Sequence, residues 1–146
     1  MMPYTHVSRE QKVARFHRAM GLDIDSEPRV SLLGSRKSLI KEETNEACDI
    51  LSELEMELER GKRGSLNQWA HLMKELCDLQ YVLSGTIISL HPLYGNFSPA
   101  FNRVHYSNMS KLDNEGKPIY DSNGKVLKGP NYKPPDLTDL VEGVYV

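Results

Sequence analysis

Apolar residues recur at steps of three and four over most of the first 110 positions, the spacing that lines one face of an α-helix. Four helices follow from it. The first runs from a cap at Ser8 to about Met20, with Val13, Phe16 and Met20 on one face and Gly21 as its stop. The second extends from about Ser31 to about Arg60 and is closed by Gly61 and Gly64. Ser65 caps the third, which carries Leu66, Trp69, Leu72, Leu76, Leu79, Leu83 and Ile87 before His91-Pro92 ends it. A fourth, shorter helix covers Ser98 to Met109, with Pro99 in its first turn, where a missing N–H costs nothing.

The pattern changes after Lys111. Glycine and proline cluster between Gly129 and Pro135, and Asn123-Gly124 sits between two short β-favouring pieces, a hairpin signal. The expected organisation is a single domain over 1–146: a helical body over about 8–110, then a lysine-bearing flap and tail over about 111–146. No internal repeat is evident.

Two of the helical stripes are interrupted by acids. On the second helix, Leu32, Arg36, Leu39, Glu43, Glu46, Ile50, Leu54 and Leu58 follow one another along one stripe, so two carboxylates break an apolar seam. The third repeats this, with Glu75 and Asp78 three apart among Leu72, Leu76, Leu79 and Val82. An unpaired carboxylate in a core costs several kcal/mol or takes up a proton. Lys41 and Lys74 are sequence neighbours of the acids but project about 100° away on a helix, leaving Arg36 as the base on the stripe. The remaining compensation is a metal: carboxylate oxygens converging at i, i+3 spacing suit hard, octahedral Mg²⁺ or Mn²⁺. A solvated face is the ordinary explanation for Asp49, Glu53, Glu55, Glu57 and Glu59. Glu42 flanks the seam four residues before Glu46, well placed to act on a metal-held water.

Charge and composition narrow the function classes. The chain has 146 residues, 39% hydrophobic and 26% charged, with a net charge of −2, so no global field draws in nucleic acid or an anionic membrane. No apolar run approaches the roughly 20 residues that cross a bilayer, and the polar start lacks a signal segment, so a cytoplasmic setting is expected. Cys48 and Cys77 fit neither a disulfide framework nor a zinc pattern and read as small core residues. Lys41 to Glu59 holds eight acids against one base, whereas Asn102 to Lys133 holds six Lys/Arg and three acids. One segment suits cations and another anions.

Glu42-Glu43-Thr44-Asn45-Glu46 followed by Glu75-Leu76-Cys77-Asp78 resembles the EExxE...ExxD signature of MazG-like all-α nucleoside triphosphate pyrophosphohydrolases, a superfamily that includes phosphoribosyl-ATP pyrophosphohydrolases and dimeric dUTPases. The resemblance extends over roughly residues 8 to 137, through Arg15 to Gly21, Val104 to Lys111 and Gly124 to Lys128. It resembles in particular the short phage forms called MazZ, which act on dGTP. The resemblance implies an all-α, MazG-like helical bundle completed by homo-oligomerisation, as a homodimer or homotetramer. It implies that Glu43, Glu46, Glu75 and Asp78 bind two or more Mg²⁺ ions, with Mn²⁺ or Co²⁺ able to substitute, and that Glu42 is the base or a further ligand. Asn108 and Lys111 match positions that contact sugar and phosphates, Lys125 and Lys128 would do so from the flap, and Phe16 and His17 match a region near the nucleobase. The implied reaction is attack of metal-activated water on the α-phosphorus of a (deoxy)NTP, dGTP first and dUTP as alternative, giving the monophosphate and pyrophosphate.

A different class would be a helical interaction module whose acidic face meets a basic partner, with no metal dependence. A calcium loop in the tail fails on spacing, because counting back from Gly116 or Gly124 puts Lys111 or Ile119 where Asp is required.

Overall fold

A computed structural model describes residues 7–142. The architecture is all-helical: α1 Arg9–Met20, α2 Val30–Glu59, α3 Leu66–Ser89, α4 Phe97–Met109 and α5 Thr138–Val141. The chain divides into two compact units, Met1–His91 and Pro92–Val146.

In the first unit, Ser8 and Ser65 each open a helix with a reciprocal capping box. Ser8 Oγ accepts from Gln11 N–H while Gln11 Oε1 accepts from Ser8 N–H, and Ser65 and Gln68 repeat the exchange. Gly21 ends α1 in the left-handed region at φ 68°, a conformation that costs glycine no Cβ clash. The 30 residues of α2 make a rod about 45 Å long. Its contacts run antiparallel to α3: Ile50 and Leu54 pack on Leu72, and Arg36 reaches Val82 and Thr86. A second cluster of Val13, Ala14 and Ile88 fixes α1 to α3. The α1–α2 connection lies along the end of α3, where Asp25 N–H donates to the Ile88 carbonyl and Ser26 N–H to that of Ser89.

The core is thin for a chain of this length. Val30 and Leu66 are almost fully exposed, Met73 is exposed, and Leu58, Leu76 and Leu83, expected on inward faces, are open to solvent too. Trp69 is half exposed, its indole N–H donating to the Arg63 carbonyl. Cys48 and Cys77, expected in the core, are both exposed, Cys77 on the groove between α1 and α3. No helix among the described residues is long and apolar enough to cross a membrane.

In the second unit the tail folds back on α4. Ser107 Oγ donates to the Lys133 carbonyl, Lys133 N–H donates to Ser110 Oγ, and Gly129 N–H donates to the Lys111 carbonyl. The short helix α5, absent from the sequence expectation, is tied down by a bidentate Arg103–Asp139 pair and by Asn96 donating to the Leu140 carbonyl. The expected hairpin at Asn123-Gly124 is present as one antiparallel bridge, Tyr120 to Val126, with no strand among the described residues. Its turn has a twin. Asp113-Asn-Glu-Gly-Lys117 and Asp121-Ser-Asn-Gly-Lys125 adopt the same bonding, each Asp accepting through Oδ1 from the N–H groups two and four residues on. This five-residue doublet, with glycine at positive φ in both copies, is a local repeat that the sequence reading did not register.

Candidate active site

The packing of α2 on α3 brings together three carboxylates. One oxygen each of Glu43, Glu75 and Asp78 lie within 4.8 Å of one another. The i, i+3 spacing of Glu75 and Asp78 puts both on the α3 face that meets α2, and Glu43 arrives from across the seam. Glu75 is only 4% exposed, Glu43 is half-buried, and Asp78 opens partly to solvent.

The fourth acid of the signature behaves differently. Glu46 is exposed, a correction to its expected inward position: one helical turn past Glu43, it lies at the rim of the seam. It still belongs to the group electrically. A hydrogen bond shared with Glu75 raises the Glu46 carboxyl above its ordinary value, and burial and the negative charges of Glu43, Glu75 and Glu42 push the same way. For Glu75, burial pushes upward, but hydrogen bonds with Lys74, Glu46 and His71 outweigh it and hold the carboxyl below the usual value. Glu42 is exposed on the same stretch of α2.

Local bases do reach the acids, which corrects the expectation that Lys74 points away. Its ammonium lies 2.8 Å from Asp78 Oδ2 and 3.2 Å from Glu75 Oε1. A lysine stem is long enough to swing across 100° of helix surface, and 74 to 78 is a favourable i, i+4 pair. His71 Nε2 also lies 3.0 Å from Glu75 Oε1. The sequence reading set Lys74 aside and did not name His71, although the four-residue offsets 71 to 75 and 74 to 78 were visible in it.

Even so, the acids are incompletely satisfied. Glu43 Oε2 and Glu75 Oε2 are buried without a hydrogen-bond partner. A buried carboxylate oxygen left bare carries a desolvation cost of about 1–3 kcal/mol, more when charged. Three converging hard oxygen donors with two bare buried atoms fit a divalent cation of the Mg²⁺ type.

Arg36, the base on the α2 stripe, is buried deeper along the same seam. Its Nε donates to Thr86 Oγ1 and its Nη2 to the Val82 carbonyl, and burial lowers its pKa. No carboxylate pairs with it among the described residues. His17 is 3% exposed, with Nδ1 2.8 Å from the Asp23 carbonyl. Phe16 stands beside it, half exposed and edge-on to Tyr81 at 5.5 Å between ring centroids. Tyr81 also lines a groove of about 360 Å³ between α1 and α3 with Arg9, Lys12, Met73 and Leu76; the groove includes neither Glu75 nor Asp78.

The remaining candidates lie in the second unit. Asn108 is exposed on the last turn of α4, Lys111 follows it half-buried, and Lys125 and Lys128 are exposed. The bond from Gly129 to the Lys111 carbonyl holds Lys128 close to Lys111, and Lys128 Nζ rests 4.8 Å over the Tyr132 ring. Ser107 and Ser110, which had no assigned role, are the groups that tie residues 129–133 to α4 in this arrangement.

No curated protein matches the chain. The family model of phosphoribosyl-ATP pyrophosphohydrolase matches residues 13–106, about two thirds of the chain, and spans every acid of the cluster. With its all-helical architecture and its converging carboxylates on α2 and α3, the chain belongs to the phosphoribosyl-ATP pyrophosphohydrolase family, within the MazG-like all-α pyrophosphohydrolases, and is a nucleotide pyrophosphohydrolase.

Proposed function

We propose that the protein hydrolyses a (deoxy)nucleoside triphosphate, with dGTP the first candidate, to the monophosphate and pyrophosphate in a divalent-metal-dependent reaction. The observation that carries this reading is the pair of bare buried oxygens, Glu43 Oε2 and Glu75 Oε2, within a three-carboxylate group. Glu43, Glu75 and Asp78 would hold the ion, with Glu46 completing the set from the rim. A divalent cation there supplies neutralisation of phosphate charge and acidification of a water.

The chain's own residues do the rest. Glu42, exposed at the edge of the seam, accepts the proton of the water that attacks the α-phosphorus in line with the α,β-bridging oxygen. In the second unit, the resemblance to the family assigns phosphate contacts to Lys111, Lys125 and Lys128, whose charge suits a leaving pyrophosphate, and a sugar contact to Asn108. Phe16 supplies a face or edge for the base: its partner Tyr81 lies three residues from Asp78, about one helical turn from the acids. His17, bonded to the Asp23 carbonyl, fixes the turn behind it. The thin core and the bare apolar residues on α2 and α3 support assembly as a homodimer or homotetramer.

Incubation of the purified protein with each dNTP and with phosphoribosyl-ATP, with and without Mg²⁺, tests the reading. Pyrophosphate and monophosphate, formed only with metal and fastest from dGTP, are expected. Fastest turnover of dUTP would move the substrate within the same chemistry, and metal-independent release of orthophosphate would refute the chemistry itself.

A further inference from the structure

The cation that already stands at the acid cluster is part of the chain. Lys74 contacts Asp78 Oδ2 and Glu75 Oε1, thus two of the three carboxylates whose oxygens converge. Its side chain is 65% exposed, so the stem lies in solvent and the ammonium can leave without repacking its surroundings. His71 touches Glu75 alone. One monovalent charge is too little for this site: with Lys74 and His71 both in place, Glu43 Oε2 and Glu75 Oε2 still have no partner.

We infer that Lys74 is a built-in counter-cation of the acid cluster, which holds Glu75 and Asp78 together in the metal-free protein and competes with a divalent ion for the same oxygens. The inference rests on the reading of the cluster as a metal site. An ammonium and a hard dication both bind carboxylate oxygen, and two like charges do not share a carboxylate pair without repulsion. The dication wins at saturation because it can also use the oxygens that Lys74 leaves bare. At lower concentration the lysine sets the threshold for occupancy. Its second consequence is structural: without lysine or ion, three carboxylates within 4.8 Å repel one another.

Isothermal titration of Mn²⁺ or Mg²⁺ alone into the full chain tests this, using wild type, K74M, K74R and E43Q. K74M is nearly isosteric and its position is exposed, so the fold is preserved. It should bind the ion at least about tenfold more tightly, the low end of the effect of removing one charge beside a carboxylate site, given the exposure of the lysine. K74R, which keeps the charge, should stay near wild type. Metal-free K74M should melt below wild type, and saturating ion should close the gap. Equal or weaker affinity in K74M would overturn the proposal while leaving the metal site standing. E43Q separates the two ideas, because Glu43 makes no bond to Lys74: a wild type that binds no divalent ion, or an E43Q that binds it unchanged, would remove the metal site and this proposal together.

Discussion

A Cβ atom at position 85 would stand 2.5 Å from Nη2 of Arg36 and 3.1 Å from Nε2 of His17. The glycine is therefore the place where α3 lets a buried guanidinium and a buried imidazole lie against its backbone. The Arg36 tip is the end of a flexible chain, but it is held by the Val82 carbonyl and Thr86 Oγ1 and cannot retreat without losing those bonds. Gly85→Ala should destabilise the fold by about 1–3 kcal/mol, the usual cost of forced overpacking. In Arg36→Met the same Gly85→Ala change should cost clearly less, a coupling readable by urea unfolding of the double-mutant cycle. Additive effects would mean that the two residues do not constrain each other.

The acid cluster should trade stability for turnover. Glu46 is pushed up by the charges of Glu43, Glu75 and Glu42, so Glu46→Gln removes repulsion in the metal-free protein. Its metal-free Tm should equal or exceed wild type, while hydrolysis falls by at least ~10²-fold, the scale of losing one electrostatic element in a site. Asp78→Asn should lose activity to the same degree. Steady-state assays beside thermal melts check both, and near wild-type turnover would remove these acids from the mechanism.

The fold of the α2–α3 pair was largely legible in the sequence, because a 3.6-residue apolar period, two Ser caps followed by Gln, and Gly stops all act locally. Helix starts and ends fall within a residue or two of expectation for that reason. What was not legible depends on tertiary contact. Nothing local distinguishes Glu43, which lies in the seam, from Glu46 one turn on at its rim. Lys74 was misread because the wheel fixes the Cβ direction and not the reach of a four-carbon stem. Cys48 and Cys77 look like core residues by type, yet each is exposed. The ties from Ser107 and Ser110 to residues 129–133 are long-range bonds that no periodicity announces.

Those ties give a prediction of their own. Ser107→Ala removes the bond to the Lys133 carbonyl, worth about 1 kcal/mol. The segment around 129–133 should then become more sensitive to limited proteolysis while α1 to α3 keep their protection. If Lys111 and Lys128 meet the leaving phosphates, KM should rise more than kcat falls. Unchanged proteolysis would show that the strap is held by other contacts.

Acid should loosen α5 from α4. The Asp139 carboxyl is held below its ordinary value first by its hydrogen bonds from Arg103, and Asp136 is lowered by Thr138. Depressed carboxyl values contribute stability that is present above the unfolded-state value and disappears as pH falls through the folded value. The attachment should thus be intact near neutrality and be lost below about pH 4. NMR titration of the Asp139 carboxyl should give a midpoint below that of an ordinary aspartate, and Arg103→Gln should bring it back up. The same midpoint in both proteins would contradict the pairing.

The claim on which the enzyme reading stands is that the α2–α3 carboxylates hold a divalent ion. Anomalous diffraction from crystals soaked in Mn²⁺ tests it most directly. The account predicts a strong peak bounded by Glu43, Glu75 and Asp78, with Lys74 swung out of the site. Fully soaked crystals with no peak there, and Lys74 still bridging Glu75 and Asp78, would contradict it.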